Sequence, residues 1–165
     1  MPITSVTSDP EALTLTIVGD YPVPIGRLWE AWADPRQLEK FWGPEGWPAT
    51  FTRHEMTVGG RAEYHMTGPD GRKAHGWWRF MAVEPTRRFE IEDGFADEHG
   101  RPDAAMPTTR MTVTFESTPT GSRFTIVGVF PSLEAMERLA AMGMIDGMQS
   151  ALKQLDTVLA QGSTT

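Results

Sequence analysis

Asp93 closes the run Phe89-Glu90-Ile91-Glu92-Asp93, in which apolar and charged residues alternate. Strand alternation places Phe89, Ile91 and Asp93 on one face. A carboxylate on an apolar strand face is desolvated, and its pKa rises unless a cation or donor pairs with it. Such a group can serve as a general acid or base. Gly94 follows, so Asp93 also suits the end of a strand, where it would cap a turn. Tyr64 is the second candidate, its phenol able to donate to a ligand or to the backbone. His65 and His75 are expected opposite one another on neighbouring strands. Two imidazoles so placed could share a metal, but a catalytic metal site needs a third protein ligand. Glu63 shares their face, which should be solvated, so no metal is expected. His54-Glu55 and His99 show no ligand spacing. The acids Asp93, Asp97, Glu98 and Asp103 do not follow the calcium-loop pattern. There is no G-x-S-x-G elbow, and Gly59-Gly60 lacks the Lys-Ser/Thr of a phosphate loop. No cofactor is expected.

These residues need elements to hold them. Leu13, Leu15 and Ile17 alternate with Thr14, Thr16 and Val18, which predicts a strand over 13–19. Leu28, Trp29 and Trp32 give a short helix over 25–33 an apolar face. A second short helix over 35–41 carries Pro35 in its first turn, where a missing N–H costs little. Strands are predicted over 49–55, 61–67, 73–83, 87–93, 110–116 and 123–130. In the turn Gly68-Pro69-Asp70-Gly71, Pro69 and Asp70 suit the centre of a type I turn and Gly71 the left-handed position after it. That turn sets a register: Gly68 opposite Arg72, Tyr64 opposite Gly76, Ala62 opposite Trp78, and His65 opposite His75. Ser132 is placed to cap one long C-terminal helix of about seven turns. Its apolar stripe is Met136, Ala140, Met144, Met148, Leu152, Leu155 and Leu159. Gly143 and Gly147 lie mid-helix, where glycine costs about 1 kcal/mol relative to alanine. They mark simple tolerance, close backbone contact or room beside the helix. Residues 161–165 read as a frayed tail.

The expected fold is α+β: a curved antiparallel sheet of six to seven strands, two short helices, and a long C-terminal helix covering the apolar face. One domain over 1–165, with its core at about 11–160, fits the 165-residue length. The net charge of −7 and pI of 5.1 argue against nucleic acid, whose binding needs clustered Lys and Arg. They also argue against an anionic membrane surface. No stretch is apolar enough to insert in a membrane. The first five residues lack the basic and apolar regions of a signal peptide. With no cysteine, disulfides are excluded and a reducing cytoplasm is the simplest location.

Ten Met and six Trp are residues that fill irregular or ligand-facing apolar space. By the register above, the inward side chains are Tyr64, Met66, Trp78, Phe80, Phe89, Ile91, Met111, Val113, Phe115, Phe124 and Ile126. Met144 and Met148 join them from the helix, and Trp32 and Trp42 close one end. That makeup, apolar with few polar groups, is that of a small-molecule pocket or of a filled core. Trp47 and Trp77, if exposed, are candidate contacts of a homodimer.

Five segments, in order, resemble the activator-of-heat-shock-protein-90-ATPase-like family of the START-like, birch-pollen-allergen-like helix-grip superfamily. They are Leu28-Trp29-Glu30-Ala31-Trp32-Ala33-Asp34-Pro35, Phe41-Trp42-Gly43-Pro44, Gly59-Gly60-Arg61 through Gly68-Pro69-Asp70-Gly71, Asp93-Gly94-Phe95-Ala96-Asp97, and Ala141-Met142-Gly143-Met144. The resemblance spans about residues 11–160. It implies the helix-grip fold and a cavity between sheet and helix. The superfamily holds lipid carriers, cyclases, hormone receptors and co-chaperone domains, so the fold does not select among them. In eukaryotic members the co-chaperone role depends on a separate N-terminal domain, which nothing in these residues resembles. The leading expectation is binding of a small apolar or aromatic molecule. The alternatives are a cyclase or dehydratase using Asp93 or Tyr64 for proton transfer, and a co-chaperone-like interaction domain.

Overall fold

The computed structural model describes residues 3–161. Eight strands form one antiparallel sheet in the order β1-β2-β8-β7-β6-β5-β4-β3. They are β1 (Ile3–Asp9), β2 (Thr14–Tyr21), β3 (Ala49–His54), β4 (Arg61–Thr67), β5 (Lys73–Glu84), β6 (Arg88–Ala96), β7 (Thr109–Thr118) and β8 (Gly121–Val129). Four helices accompany them: α1 (Ile25–Ala33), α2 (Pro35–Trp42), α3 (Leu133–Ala141) and α4 (Met144–Ala160).

The β4–β5 hairpin has the register its turn dictates. Gly68 N–H donates to Arg72 O at 2.8 Å. Tyr64 pairs with Gly76, Ala62 with Trp78 and His65 with His75. Asp34 separates α1 from α2 and caps the latter, accepting from Arg36 N–H at 2.9 Å, with Pro35 in the first turn. Ser132 Oγ caps α3 by accepting from Ala135 N–H at 3.1 Å.

Four features depart from expectation. β1 was not foreseen: it is an edge strand in which only Ile3 and Val6 are partly buried, too few to leave a period-two signal. β6 continues to Ala96, so Asp93 lies within a strand rather than capping a turn. The long C-terminal helix is two helices, broken at Met142-Gly143, where Gly143 takes φ +87°. An L side chain is disfavoured in that left-handed conformation, and glycine is not. Trp77 is buried rather than exposed, its Nε1 donating to Phe95 O at 3.1 Å, and Trp47 packs over Gly68. The tail expected over 161–165 lies, beyond Gln161, outside the described residues.

The core lies between the concave face of the sheet and the helices. Trp32 of α1 is fully buried at its centre. Its ring centroid is 5.1 Å from Phe41, 5.7 Å from Phe89, 5.9 Å from Trp42 and 6.1 Å from Phe124. α4 lays Leu152, Leu155, Val158 and Leu159 against this cluster. Two polar contacts pin it further: Arg27 donates to Val158 O at 2.9 Å, and Gln154 donates to Gly43 O at 2.6 Å. Among the described residues no helix is long and apolar enough to cross a membrane.

The helix break makes two glycine substitutions diverge. A Cβ at Gly147 would meet only Pro44 Cγ, at an ordinary 3.6 Å. Gly147→Ala should therefore stabilise α4 by about 1 kcal/mol, raising Tm by about 2–4 °C in a chain of this size. Gly143→Ala, forced to positive φ, should cost about 1–2 kcal/mol. Thermal melts of the two variants test the break, and shifts of the same sign would contradict it.

Candidate functional site

The helices cover the sheet unevenly, and one end of the concave face stays open. There, β4, β5 and β6 face the α3–α4 junction across a cavity of about 290 Å³. Tyr64 and Met66 line it from β4, Gly76 from β5, Asp93 and Phe95 from β6, and Thr109 from the start of β7. Leu139, Met142, Gly143, Met144, Gly147, Met148 and Ala151 form the helical wall, and Trp42 and Pro44 close the side toward α2.

The structure thus brings Trp42, Tyr64, Met66, Asp93, Met144 and Met148 together around one space. Trp32, Trp78, Phe80, Phe89, Ile91, Met111, Val113 and Phe124, expected to line the same space, are buried in the adjoining core. All but Trp32 share the inward face of the sheet, and the aromatic side chains of α1 and α2 pack over it, Trp32 on Phe89 and Phe124 and Trp42 on Trp78. Trp29, for example, stands edge-on to Phe115 at 5.2 Å and to Phe89 at 6.1 Å. Four lining residues had a readable signal. Phe95 shares the parity of Asp93 once β6 is extended, Gly76 is the cross-strand partner of Tyr64, and Gly143 and Gly147 interrupt the helical stripe. Leu139, Thr109 and Pro107 had none.

Gly76 sets the position of Tyr64. A Cβ there would collide with the phenol ring and its oxygen, so the Tyr64 side chain lies directly on the β5 backbone, leaning toward β6. Phe51 stacks against Tyr64 at 4.9 Å, and Trp42 stands perpendicular to it at 6.4 Å. The indole N–H groups of Trp42 and Trp78 face the phenol without closing a hydrogen bond, and both are buried without a partner among the described residues. Burial, and then the nearby Asp93 carboxylate, push the Tyr64 pKa up, so it remains a neutral O–H donor.

Asp93 sits between Trp78 of β5 and Thr109 of β7 in the ladder. It forms no hydrogen bond or ion pair among the described residues, and no Lys or Arg lines the cavity. Burial alone pushes its pKa up to about 7. His65 and His75 pair across β4 and β5 with ring centroids 5.7 Å apart. Among the described residues no third His, Asp or Glu joins them.

An unpaired, half-buried acid desolvated by an apolar cavity has a signature in stability. In the unfolded chain Asp93 titrates near 3.8, and in the fold near 7. Below about pH 4 it is protonated in both states and costs nothing. As pH rises from there to 7, the unfolded chain ionises Asp93 while the fold retains its proton, so stability falls until the fold too ionises near 7. Asp93→Asn removes that cost. The variant should match the parent near pH 4 and exceed it by roughly 2–4 kcal/mol at pH 8. Urea unfolding at the two pH values reads this directly, and a difference independent of pH would contradict it.

The model of the family described as "Activator of Hsp90 ATPase homolog 1-like protein" matches residues 22–160. A solution structure of a protein from Arthrobacter aurescens is 49% identical, with 96% of this chain and 92% of that one covered at TM-score 0.91. A crystal structure of a Mycobacterium smegmatis protein is 43% identical, with 99% of each chain covered at TM-score 0.88. A Chromobacterium violaceum protein is 25% identical, with 89% of this chain and 96% of that one covered at TM-score 0.75. No curated protein matches the chain. The eight-stranded sheet, the helices laid across it and a family match running from the end of β2 to the end of α4 together make this chain a member of the activator-of-Hsp90-ATPase-homologue-1-like family, within the START-like superfamily.

Proposed function

We propose that this protein binds a small apolar or aromatic molecule in the cavity between β4–β6 and the α3–α4 junction. The observation that carries the reading is the cavity itself, about 290 Å³ with walls of Met, Trp, Phe and Leu. Among the described residues, Tyr64, Asp93 and Thr109 supply the polar side chains of the inward sheet face, joined by the indole N–H of Trp42. An apolar lining with few convergent polar groups is the usual makeup of a small-molecule site. The volume lies near the lower end of the about 300–1,000 Å³ of such sites, so the ligand is the size of a ring or two. Met144 and Met148 support the reading as flexible thioethers that adapt to an irregular guest. A second reading, an enzyme of cyclase or dehydratase type, draws on one further observation. Asp93 titrates close to neutrality beside a phenol that stays protonated, a pair suited to moving a proton on a bound substrate.

Uncharged N-phenyl-1-naphthylamine, whose fluorescence rises in apolar surroundings, tests the binding reading. Its signal should saturate and be displaced by smaller aromatic competitors. Met148→Trp fills the cavity from α4 and should weaken binding at least about tenfold, a change of about 1.4 kcal/mol. A signal that never saturates, or one indifferent to Met148→Trp, would overturn the reading.

A further inference from the structure

We propose that the cavity's ligand is an apolar primary amine, its ammonium paired with the Asp93 carboxylate and its hydrocarbon part lying along the Met wall. The inference rests on the binding reading above and adds the chemical class. The cavity offers one acid and no lysine or arginine. An ionised carboxylate without a partner is costly in apolar surroundings, and pairing relieves that cost. None of the groups around Asp93 supplies a positive charge. Trp42 and Phe95 offer ring surface, Met66 and Met144 thioethers, and Tyr64 and Thr109 hydroxyls. A cation brought by the ligand completes the site. Aromatic surface favours it further, because a ring face attracts an ammonium electrostatically. The net charge of −7 draws cations toward the molecule as a whole. An anionic ligand meets the opposite on every count.

The titratable side chains on the inward face of the cavity are Asp93 from β6 and Tyr64 from β4, while His75 of β5 borders it with its ring on the other face, against His65. Thr109 of β7, Trp42 of α2, Leu139 of α3 and the α4 residues bring none. Glu92, the neighbour of Asp93 on the other face, is paired with Arg79 at 3.2 Å. Tyr64 stays neutral throughout the working range. Asp93 is therefore the group that makes amine binding depend on pH: acid neutralises it and removes the partner of the ammonium.

4-Phenylbutylamine and the uncharged 4-phenylbutan-1-ol, measured by calorimetry and by displacement of N-phenyl-1-naphthylamine, separate the possibilities. An alkyl ammonium titrates near about 10, like lysine, so the amine stays charged up to pH 8. Its affinity should rise about 30- to 100-fold from pH 5 to pH 8, following ionisation of Asp93. The alcohol should show no such rise. Asp93→Asn should weaken the amine at least tenfold at pH 8 and flatten its pH dependence, while urea unfolding shows the variant at least as stable as the parent. His75→Gln should keep most of the pH dependence. The proposal is overturned if the alcohol binds the parent as tightly as the amine at pH 8, or if Asp93→Asn retains the amine's affinity. It is equally overturned if neither compound displaces a saturably held naphthylamine, in which case the binding reading survives. Failure of the naphthylamine itself to bind removes both.

Discussion

Trp32 is where the sheet, α1 and α2 meet, and the division of the interior follows from it. Its indole is buried against Phe41 and Trp42 of α2, Phe89 of β6 and Phe124 of β8. A curved sheet of this length presents more concave apolar surface than two short helices can cover. The aromatic cluster around Trp32 fills one end to core density. The C-terminal helices must cover the other, and α3 and α4 meet there at an angle set by Gly143. The cavity is the volume left between a well-filled end and a cover that changes direction. Its position is thus a consequence of where the large aromatic side chains lie along α1 and α2.

The polar groups within that volume depend on a close approach between strands. Gly76 lets the Tyr64 ring cross the β5 backbone, and the phenol oxygen is carried to within electrostatic reach of Asp93. Any larger residue at that position would push the ring into the cavity. The arrangement is not one that stability alone would retain. Asp93 gains no partner from the protein, its raised pKa weakens the fold above neutral pH, and an asparagine or a threonine would satisfy the strand equally well. An acid without an internal partner beside a cavity is what the ligand proposed above would satisfy.

How much of this was legible in the sequence varied with the range of the interaction concerned. The β4–β5 hairpin could be read to the residue because Gly68-Pro69-Asp70-Gly71 fixes the loop, and with it the pairing of Tyr64 with Gly76. α1 and α2 were legible from the spacing of Leu28, Trp29 and Trp32 and from Asp34-Pro35. β1 was not, because an edge strand with a mostly polar sequence leaves no periodic trace. The long helix was read as continuous because its apolar stripe keeps its period across Met142-Gly143. Periodicity reports which face is apolar, while the break is a backbone event at one residue. The same distinction governs the site. Alternation assigned Phe80, Phe89 and Ile91 to the inward face along with Asp93, and all four do face inward. Which of them meet open space depends on what lies above each one, a long-range packing fact that no local pattern encodes.

The break between α3 and α4 links this packing to the shape of the cavity wall. A continuous helix would hold Met144 and Met148 on a rigid rail anchored at both ends. With Gly143 between the helices, α4 is tied to the core through Leu152, Leu155 and Arg27 at its C-terminal half, while its first turn is only partly buried. That first turn carries Met144 and Gly147, and Met142 just before it is largely exposed. Glycine weakens the helix at the position where the cavity needs space, and unbranched thioethers line it where shape must adapt. The sheet side offers the contrast: Tyr64 is held by Phe51 and by the β5 backbone, and Asp93 lies within a hydrogen-bonded ladder. The polar groups that would meet the proposed ligand are thus set on the sheet wall, and the apolar groups that would exclude water are set on the helical one. Such a division would let one scaffold take ligands of differing hydrocarbon shape held at a single point.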